Sequence, residues 1–456
     1  MFLSEHLAKL SQAPVEDELR DRALQHFIDW LLASLVGLKL NVGSGIITLT
    51  KNNRSDGRAT TLGIGDCDVM TALIHNAALG NAAELDDYHR SSVTHPGPIV
   101  IPVALGVAQQ EERDIRDFLD GIVVGYEVMA RMGSAVGKKH YRHWHKTATC
   151  GTFAATATAV RVNGYNKTIM QDALGHAGSM AGGIWECRTE ATETKQLHSS
   201  HAAMSGYLCA TAAQAGLRGP SAVLEGEYGY FSAACPDPDT SFLEAPLTRW
   251  SLWDTSLKPW PCCRHTHSTV LALQKLFLEY GPFVPDDISK IEISTFSEAI
   301  KLCDQAAPTH ETAGRFSLQH VAAVTILHGK PELNDFSAGM RDDPIISRLR
   351  DLIQIKECSD ATRDYPVSAP ATVALTTLNG QTFSSRVERG PGDPELPLTR
   401  QQMQDKVKDI LDFLPSGVDP ALIADIYTAP EYRHLDMASI RDLLDCFCIR
   451  NFDFHT

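Results

Sequence analysis

The sequence predicts a mainly α-helical protein, in which a large helical domain built from both chain ends carries an inserted, smaller α+β lid domain. Three features indicate this: helical periodicity through the first half, β-rich texture after about residue 265, and a return of helical pattern after about residue 395. We predict the helical domain over residues 1–265 and 395–456, and the lid domain over 266–394. A chain of 456 residues can supply a large core for both.

The N-terminal helices are predicted from spacing and composition. Residues 16–40 repeat apolar side chains along one helical face and carry acidic residues in the first turn, where the helix dipole favours them. Residues 151–164 and 201–219 are rich in alanine and end at glycine, which predicts closely packed helices. The glycine-rich residues 175–183 indicate either tight packing or backbone approaching a ligand.

The inserted domain is predicted from strand signals. Residues 290–296 alternate like a half-buried strand, and residues 371–387 form two β-rich runs around Asn379-Gly380, a strong hairpin signal. Helices are expected at 268–280 and 317–328, and the Pro/Gly-rich residues 389–399 predict a linker. Helical pattern resumes at 400–414 and 437–449. A crevice between the two domains is the expected place for a ligand.

Charge and composition exclude several functions. The net charge is −15 and the pI about 5.6, so the surface should repel nucleic acid and anionic membranes. No secretion signal and no 18-residue apolar run is evident, so we expect a cytoplasmic protein without membrane or nucleic-acid partners. The 11 cysteines are then expected as reduced thiols, and no paired CxxC spacing suggests an iron–sulfur or structural zinc centre.

Five stretches concentrate groups that transfer protons or bind anions. The first, residues 84–98, reads ELDDYHRSSVTHPGP. Pro96 and Pro98 disfavour helix around His95, which we therefore place in a rigid loop as a candidate general acid or base. The alternative is a loop held together by hydrogen bonds of Asp and Ser side chains.

The second stretch, residues 138–153, contains His140, His143 and His145. Their spacing could suggest a metal site, but Lys146 and a following helix N-terminus favour an anion or a catalytic histidine. A plain surface loop is equally compatible with the sequence. The third stretch, residues 186–206, places Lys195 and His198 before a helix expected to begin near Ser199 or Ser200. Lys195 could neutralise a substrate carboxylate there, or it could be an ordinary solvated lysine.

The fourth stretch, residues 256–276, gathers four basic or titratable side chains within ten residues: Lys258, Arg264, His265 and His267. Zinc binding by Cys262, Cys263, His265 and His267 is disfavoured, because ligands so close in sequence could not surround one ion without distant partners. An anion site fits better, since Arg binds carboxylates bidentately and Lys adds a point charge.

The fifth stretch, residues 314–329, predicts a helix with His320 near its beginning. Taken alone, His320 is expected to be a satisfied surface or interface residue.

Together, six stretches in order resemble the MmgE/PrpD family along essentially the whole chain. They are ELDDYHRSSVTHPG, HWHKTATCGTFAATA, GHAGSMAGG, TKQLH, KPWPCCRHTH and RFSLQHVAA. The family includes 2-methylcitrate dehydratase, cis-aconitate decarboxylase and iminodisuccinate epimerase. The resemblance implies a helical domain with a lid, a homodimer, and chemistry on a small di- or tricarboxylate without metal or other cofactor.

By the same resemblance, the catalytic residues are His95, His145, Lys195 and Lys258. The resemblance and the charge pattern together give the substrate-binding candidates Glu84, Asp87, Tyr88, Cys263, Arg264, His267 and His320. Where the decarboxylase branch has Asp, His and Tyr, this chain has Glu84, Cys263 and His320, which argues against decarboxylation.

We therefore predict a cofactor-free hydro-lyase that dehydrates a 2-hydroxy di- or tricarboxylate such as 2-methylcitrate. Lys195, Lys258 and Arg264 would hold substrate carboxylates, while His95 and His145 act as acid and base in an order left open. The alternatives are an epimerase of iminodisuccinate-like dicarboxylates, a cis-aconitate-type decarboxylase, a zinc enzyme, and a carboxylate-binding protein without activity.

Overall fold

Helices make up most of the chain in a computed structural model that describes residues 1–189, 192–414 and 419–447, which confirms the mainly α-helical prediction. The described residues form two compact units. Unit 1 comprises Met1–Cys187, Glu193–Thr255 and Leu414–Thr456, and unit 2 comprises Arg188–Thr192 and Ser256–Phe413. The predicted domain boundaries at 265 and 395 remain predictions.

The first helices along the chain belong to unit 1: α1 Leu3–Leu10, α2 Asp17–Lys39, α3 Asn41–Asn53, α4 Val69–Gly80, α5 Gly97–Gln110, α6 Ile115–Ala135, α7 Gly137–His140, α8 Lys146–Val162, α9 Lys167–Met180, α10 Thr194–Gln214, α11 Tyr230–Ala234 and α12 Ser241–Glu244. Those that follow belong to unit 2: α13 His267–Tyr280, α14 Ser297–Cys303, α15 Glu311–Arg315, α16 Leu318–His328, α17 Ala338–Arg341, α18 Pro344–Asp351, α19 Ser359–Asp364 and α20 Arg400–Phe413. The last two return to unit 1: α21 Pro420–Thr428 and α22 Met437–Asp445.

The strands are β1 Ala59–Thr61, β2 Gly65–Cys67, β3 Tyr88–His89, β4 Thr255–Ser256, β5 Ile288–Thr295, β6 Ile353–Glu357, β7 Ala371–Thr377 and β8 Thr382–Val387. In unit 1, β1 and β2 form a small antiparallel pair. In unit 2, the last four strands form one sheet in the order β6-β5-β7-β8. Strands β5 and β6 run parallel, and the other two pairings are antiparallel.

The core of unit 1 is a bundle in which α8 packs between α6 and α10. Every residue of α8 except Arg161 is buried, and small side chains predominate. On α10, a Cβ added at Gly206 would lie 2.6 Å from the backbone nitrogen of Thr156, so only glycine permits this approach. The alanine-rich stretches 151–164 and 201–219 therefore allow close helix packing, as the sequence predicted. In the glycine-rich stretch, a Cβ added at Gly175 would lie 2.7 Å from the carbonyl carbon of Gly219, which fits tight packing, one of its two interpretations.

Two sequence predictions about unit 1 helices have clear outcomes. The helix predicted over 16–40 is present as α2, with acidic Asp17 and Glu18 in its first turn. The helix predicted to begin near Ser199 or Ser200 instead begins at Thr194, so Lys195 lies inside its first turn rather than before it. The alanine-rich composition predicted the middle of α10, whereas its first turns are polar and were not predicted as helix.

The core of unit 2 forms between the sheet and helices α13, α16 and α18. Strand β5 alternates buried and half-buried residues, as its sequence predicted, and β7 and β8 form the predicted hairpin. Gly380 in the hairpin turn has a φ of +83°, a left-handed conformation that glycine adopts without strain. Helices α13 and α16 match the segments predicted at 268–280 and 317–328.

The segment predicted as a linker, residues 389–399, is not a loose connection. Gly390, Pro391, Gly392 and Asp393 are buried, and a Cβ at Gly392 would lie 1.8 Å from the carbonyl oxygen of Leu257. Glycine and proline here shape a packed loop instead of a mobile one. Of the C-terminal predictions, α20 covers 400–413 and α22 ends at Asp445, while the predicted continuation to 449 lies partly outside the described residues.

Within the described residues, no single helix has the length and apolar composition needed to cross a membrane. The consecutive helices α2 and α3 meet that requirement only as a pair, with a bend of 90° between them.

Candidate active site

The loop between α4 and α5 carries the acidic stretch and is held in an uncommon backbone conformation. Glu84 and Val93 have φ values of +53° and +58°, in the left-handed region that side chains rarely occupy. Glu84, Asp86 and Asp87 are all buried. Buried carboxylates and strained backbone both need compensation from specific contacts, and such features cluster at functional sites.

Asp86 supplies the contact that orients His95. Its Oδ2 accepts a hydrogen bond from His95 Nδ1 at 2.8 Å, and a second from Asn81 Nδ2 at 2.7 Å. The His95 backbone N–H donates to Thr147 Oγ1 at 3.2 Å. With Nδ1 paired to a carboxylate, Nε2 is the ring nitrogen left for a substrate.

Asp87 supports the same loop from behind. Its Oδ1 accepts the Gly97 N–H at 2.9 Å, which fixes the start of α5 two residues after His95. Its Oδ2 accepts hydrogen bonds from the Tyr126 hydroxyl and, at 2.6 Å, from His26 Nδ1. Asp87 was predicted as a substrate contact. The structure places it in a network of protein groups, and its direct contact with substrate remains a prediction.

His145 lies at the N-terminus of α8, outside the helix itself. Its backbone N–H donates to the Gly183 carbonyl at 2.9 Å, and its ring stacks on Trp185 with centroids 4.1 Å apart and planes 1° from parallel. The backbone N–H of Trp185 donates to the His143 carbonyl at 2.9 Å, which holds the tryptophan over the imidazole. Residues 143–145 and 183–185 thus run side by side and fix the ring.

A second histidine, His198 on α10, completes the setting of His145. The two Nδ1 atoms lie 3.1 Å apart, within hydrogen-bond distance. Burial lowers the pKa of His145 well below its ordinary value, and the nearby His198, Lys195 and His95 lower it further. Burial likewise lowers the pKa of His198 to about 4. Both rings are therefore neutral at pH 7.

Lys195, in the first turn of α10, forms a buried charge pair with Glu84 from the acidic loop. This excludes the alternative of an ordinary solvated lysine. This pair brings the first and third sequence stretches into contact. The second stretch lies close to both, because Lys195, His95 and Asp86 all influence the pKa of His145. Three of the four predicted catalytic residues, His95, His145 and Lys195, are thus gathered in unit 1.

The remaining histidines of the second stretch do not join this cluster as a metal set. His140 is buried between the Ala234 carbonyl at 2.8 Å and Thr149 Oγ1 at 3.0 Å, whereas His143 is exposed. Lys146 donates to the Gly133 carbonyl at 2.9 Å. Tyr88, predicted to contact substrate, lies with its ring centroid 5.1 Å from that of His95.

The fourth predicted catalytic residue, Lys258, lies in unit 2 and is fully buried. The pKa of His267 lies well below its ordinary value, mainly because the residue is buried and further because Arg264 and Lys258 are nearby cations. Lys258, Arg264 and His267 therefore lie close together, as the sequence predicted.

Arg264 is surrounded by acceptors of its own unit. Its guanidinium donates to the carbonyls of Pro391 at 2.7 Å and Gly390 at 3.0 Å, and to the Asp393 carboxylate at 2.6 Å. Its predicted substrate contact remains a prediction, while the structure shows it anchoring the loop that contains Asp393.

Cys263, which directly precedes Arg264, and His320 are the remaining predicted substrate contacts in unit 2. Cys263 is buried beside His265 and Cys303. His320 is also buried, with Nε2 2.8 Å from the Asp335 carbonyl, so the sequence interpretation as a surface residue is wrong. Burial lowers its pKa to about 4. The substrate roles predicted for both residues remain predictions.

Several residues of the cluster around His95 and His145 were not singled out as site residues from the sequence. Asp86 was seen in the acidic loop but its neighbour Asp87 was chosen, and Trp185 carried no signal. His198 was noted only for its position near Lys195. Each of these residues acts through a contact that only the fold creates. The nearest sequence signal is an acidic or aromatic residue that could become a partner of a candidate histidine.

Two protein-family models together match most of the chain. Residues 2–243 match the MmgE/PrpD N-terminal domain, and residues 260–422 match the MmgE/PrpD C-terminal domain.

Named relatives are lyases of two kinds. The cis-aconitate decarboxylase-like protein oryM of Aspergillus oryzae is 24% identical over 426 residues, covering 88% of both chains. Cis-aconitate decarboxylase of Aspergillus terreus is 22% identical over 464 residues, covering 96% of this chain and 94% of that protein. The mitochondrial 2-methylcitrate dehydratase of Yarrowia lipolytica is 30% identical over 81 residues, which is 18% of this chain and 16% of that protein. Because both family domains match in order, the chain belongs to the MmgE/PrpD family.

Proposed function

We propose that this protein is a lyase that removes water from a 2-hydroxy di- or tricarboxylate, with 2-methylcitrate as the model substrate. The observation that carries the proposal is the unequal setting of two neighbouring histidines. His95 has its Nδ1 paired with the Asp86 carboxylate, whereas His145 is buried and its pKa is lowered by burial first and then by His198, Lys195 and His95, with Asp86 acting in the opposite direction. A buried neutral imidazole is suited to accept a proton, and a ring held through Nδ1 presents Nε2 to a substrate.

His145 serves as the base. Its lowered pKa keeps it unprotonated at neutral pH, so it is ready to accept a proton. If Nδ1–H donates to His198, the lone pair on Nε2 is available to take the proton from the substrate carbon next to a carboxylate. Stacking on Trp185 restricts the ring to this orientation.

His95 serves as the acid. The Asp86 carboxylate accepts a hydrogen bond from Nδ1, which leaves Nε2 to face the substrate and, in the protonated ring, to donate to the hydroxyl group as it departs. The proton removed from carbon thus goes to His145, the carbon–oxygen bond breaks, and the hydroxide leaves as water with the proton from His95. The product is the corresponding unsaturated acid.

Lys195 stabilises the negative charge that develops on the substrate carboxylate during this step. It lies close enough to lower the pKa of His145, and it is buried, where a fixed cation acts more strongly than in water. Its partner Glu84 holds the ammonium in place before substrate arrives. No group outside unit 1 is needed for these assignments.

Decarboxylation of a cis-aconitate-like substrate is the second candidate. It is favoured by the named decarboxylase relatives, which align over 88% or more of this chain in the two cases described above. In that reaction the carbon–carbon bond to one carboxylate breaks, carbon dioxide leaves, and His95 protonates the carbon that remains. Only one proton donor is then required, and His145 would have no proton to take.

One experiment separates these reactions. The pure protein is incubated with citrate, 2-methylcitrate, cis-aconitate and iminodisuccinate in deuterated water, and proton NMR spectra are followed. Dehydration gives a new vinylic or unsaturated acid signal from a hydroxy acid, decarboxylation gives a methylene product from cis-aconitate, and epimerisation gives deuterium at the α-carbon without loss of water. Binding without any turnover would contradict the proposal and favour a carboxylate-binding protein.

The quaternary state belongs to the same proposal. We infer a homodimer from family membership, and light scattering on the purified chain tests it. A mass of about one chain, 49.9 kDa, would contradict this inference.

A further inference from the structure

Cys263, His265 and Cys303 form a buried cluster in unit 2 that the proposed chemistry does not use. One potential ligand atom from each lies within 4.8 Å of the other two. Cys263 and His265 flank Arg264 just before α13, whereas Cys303 ends α14. From the sequence, zinc binding was disfavoured because Cys262, Cys263, His265 and His267 lie close together and lacked a distant partner. The fold supplies that partner in Cys303, 40 positions after Cys263.

The side chain of His265 points independently to a ligand. Its Nε2 is 3.1 Å from the Tyr365 hydroxyl, whereas its buried Nδ1 has no hydrogen-bond partner among the described residues. The residue as a whole is only 7% exposed. A buried imidazole nitrogen without a partner is costly, and metal coordination with the other nitrogen hydrogen-bonded to a fixed group is a common solution.

We propose that Cys263, His265 and Cys303 bind one Zn²⁺ ion, with a water molecule or another small ligand in the fourth position. Two thiolates and one imidazole are a known zinc ligand set, and tetrahedral geometry with Zn–S bonds of about 2.3 Å places two sulfurs about 3.7 Å apart. The upper limit of 4.8 Å between the ligand atoms is close to this value, so small side-chain adjustments suffice.

The surroundings suit a neutral metal complex. The two cysteines belong to an apolar cluster that includes Phe296, Leu302 and Leu318. One divalent cation and two thiolates sum to zero charge, which avoids the large cost of placing a net charge in such surroundings. By joining the start of α13 to the end of α14, the ion would fix the segment that leads from Lys258 into α13. The ion would thus link two segments of unit 2, and none of the acid–base steps proposed above uses it.

Direct metal binding by the full-length protein tests this inference. Protein reduced and stripped of metal is mixed with Zn²⁺ alone, dialysed, and its zinc content measured by mass spectrometry. We expect about one zinc per chain for wild type and for the control Cys262→Ser. The thiol of Cys262 is equally buried but accepts a hydrogen bond from Thr266 Oγ1 at 3.2 Å, outside the cluster.

Ligand variants should weaken binding in a graded way. Cys303→Ser and His265→Gln should reduce zinc affinity by about a hundredfold or more, and Tyr365→Phe by about 10- to 100-fold, because Tyr365 orients the histidine ligand. Equal zinc content in Cys303→Ser and wild type would overturn the inference. So would wild-type protein that binds no zinc in reducing buffer, including protein in which Cys263 and Cys303 instead form a disulfide detected by a loss of two free thiols.

Cobalt spectroscopy keeps the inference testable if Cys303→Ser fails to fold. Co²⁺ added to wild-type apoprotein should give the visible bands of a tetrahedral site and thiolate charge-transfer absorption in the near ultraviolet. Only the weak bands of an octahedral ion would overturn it.

Discussion

Two buried cations, Lys195 in unit 1 and Arg264 in unit 2, show how similar sequence signals lead to different structural settings. Each is paired with a carboxylate, Glu84 for Lys195 and Asp393 for Arg264. Both cations lower the pKa of neighbouring histidines, Arg264 that of His267 and Lys195 those of His145 and His198. The guanidinium of Arg264 in addition donates to two backbone carbonyls, so it also fixes a loop. Lys195 instead lies beside the histidines to which the proposal gives catalytic or positioning roles.

The largest expected effect comes from removing the proposed proton-transfer residues of unit 1. His145→Gln and His95→Gln should each lower kcat for water loss by about 10²- to 10⁴-fold, because each removes a positioned proton-transfer group. The exposed His143 in the same stretch provides the control, and His143→Gln should leave kcat unchanged. Steady-state assays of unsaturated-acid absorbance measure all three variants, and full activity in both site variants would rule out the assignment.

The next largest effect concerns stability in unit 2. Arg264→Leu should lower the free energy of unfolding by about 3–5 kcal/mol, because it leaves the Asp393 carboxylate buried without its charge partner. Thermal melting followed by circular dichroism should show a decrease in Tm of about 3–5 °C for a chain of 456 residues. The control is Arg363→Leu, which removes an exposed ion pair with Asp360 and should change Tm very little.

The same Arg264 variant also distinguishes anchoring from substrate binding. If Arg264 anchors the loop, protein that remains folded at low temperature keeps a KM close to that of wild type. A large increase in KM with an unchanged Tm would instead support the substrate contact predicted from the sequence.

A smaller effect is expected from the residue that orients His95. Asp86→Asn should lower kcat by about 10- to 100-fold, since it removes the carboxylate that fixes the His95 ring through Nδ1. KM should change much less, because in the proposal Asp86 acts on the substrate only through His95. A change confined to KM, or a loss of activity explained by a lower Tm alone, would contradict a positioning role.

The smallest effect is a shift along the pH axis. Lys195 lowers the pKa of His145, so Lys195→Met should raise that pKa and move the acid limb of kcat/KM to higher pH. For wild type, the lowered pKa predicts that the base stays active below pH 6.5, the ordinary value for histidine. The exposed Lys138 supplies the control, since Lys138→Met should leave the profile unchanged.

The sequence predicted elements whose signals are local. Helix α2 follows from apolar spacing and the β7–β8 hairpin from Asn379-Gly380, because both depend on residues close in the chain. His95, His145 and Lys195 were found because each lies in a stretch dense in titratable groups.

What the sequence did not predict depends on contacts between distant residues. His198 lies 53 positions from His145, and Cys303 lies 40 positions from Cys263, so local spacing gives no sign of either contact. The buried position of His320 and the packed loop around Asp393 were missed for the same reason. A Pro/Gly-rich segment and a lone helical histidine have the same local pattern whether they face solvent or protein.

The most direct test of the central claim measures proton removal and water loss separately in deuterated water. If His145 is the base and His95 the acid, His95→Gln should still exchange the substrate α-proton for deuterium while losing water elimination. His145→Gln should lose both, because no carbanion forms. Proton NMR of the recovered substrate and product reports the two rates together. Water loss at the wild-type rate in His145→Gln, or α-proton exchange that survives in that variant, would contradict the assignment.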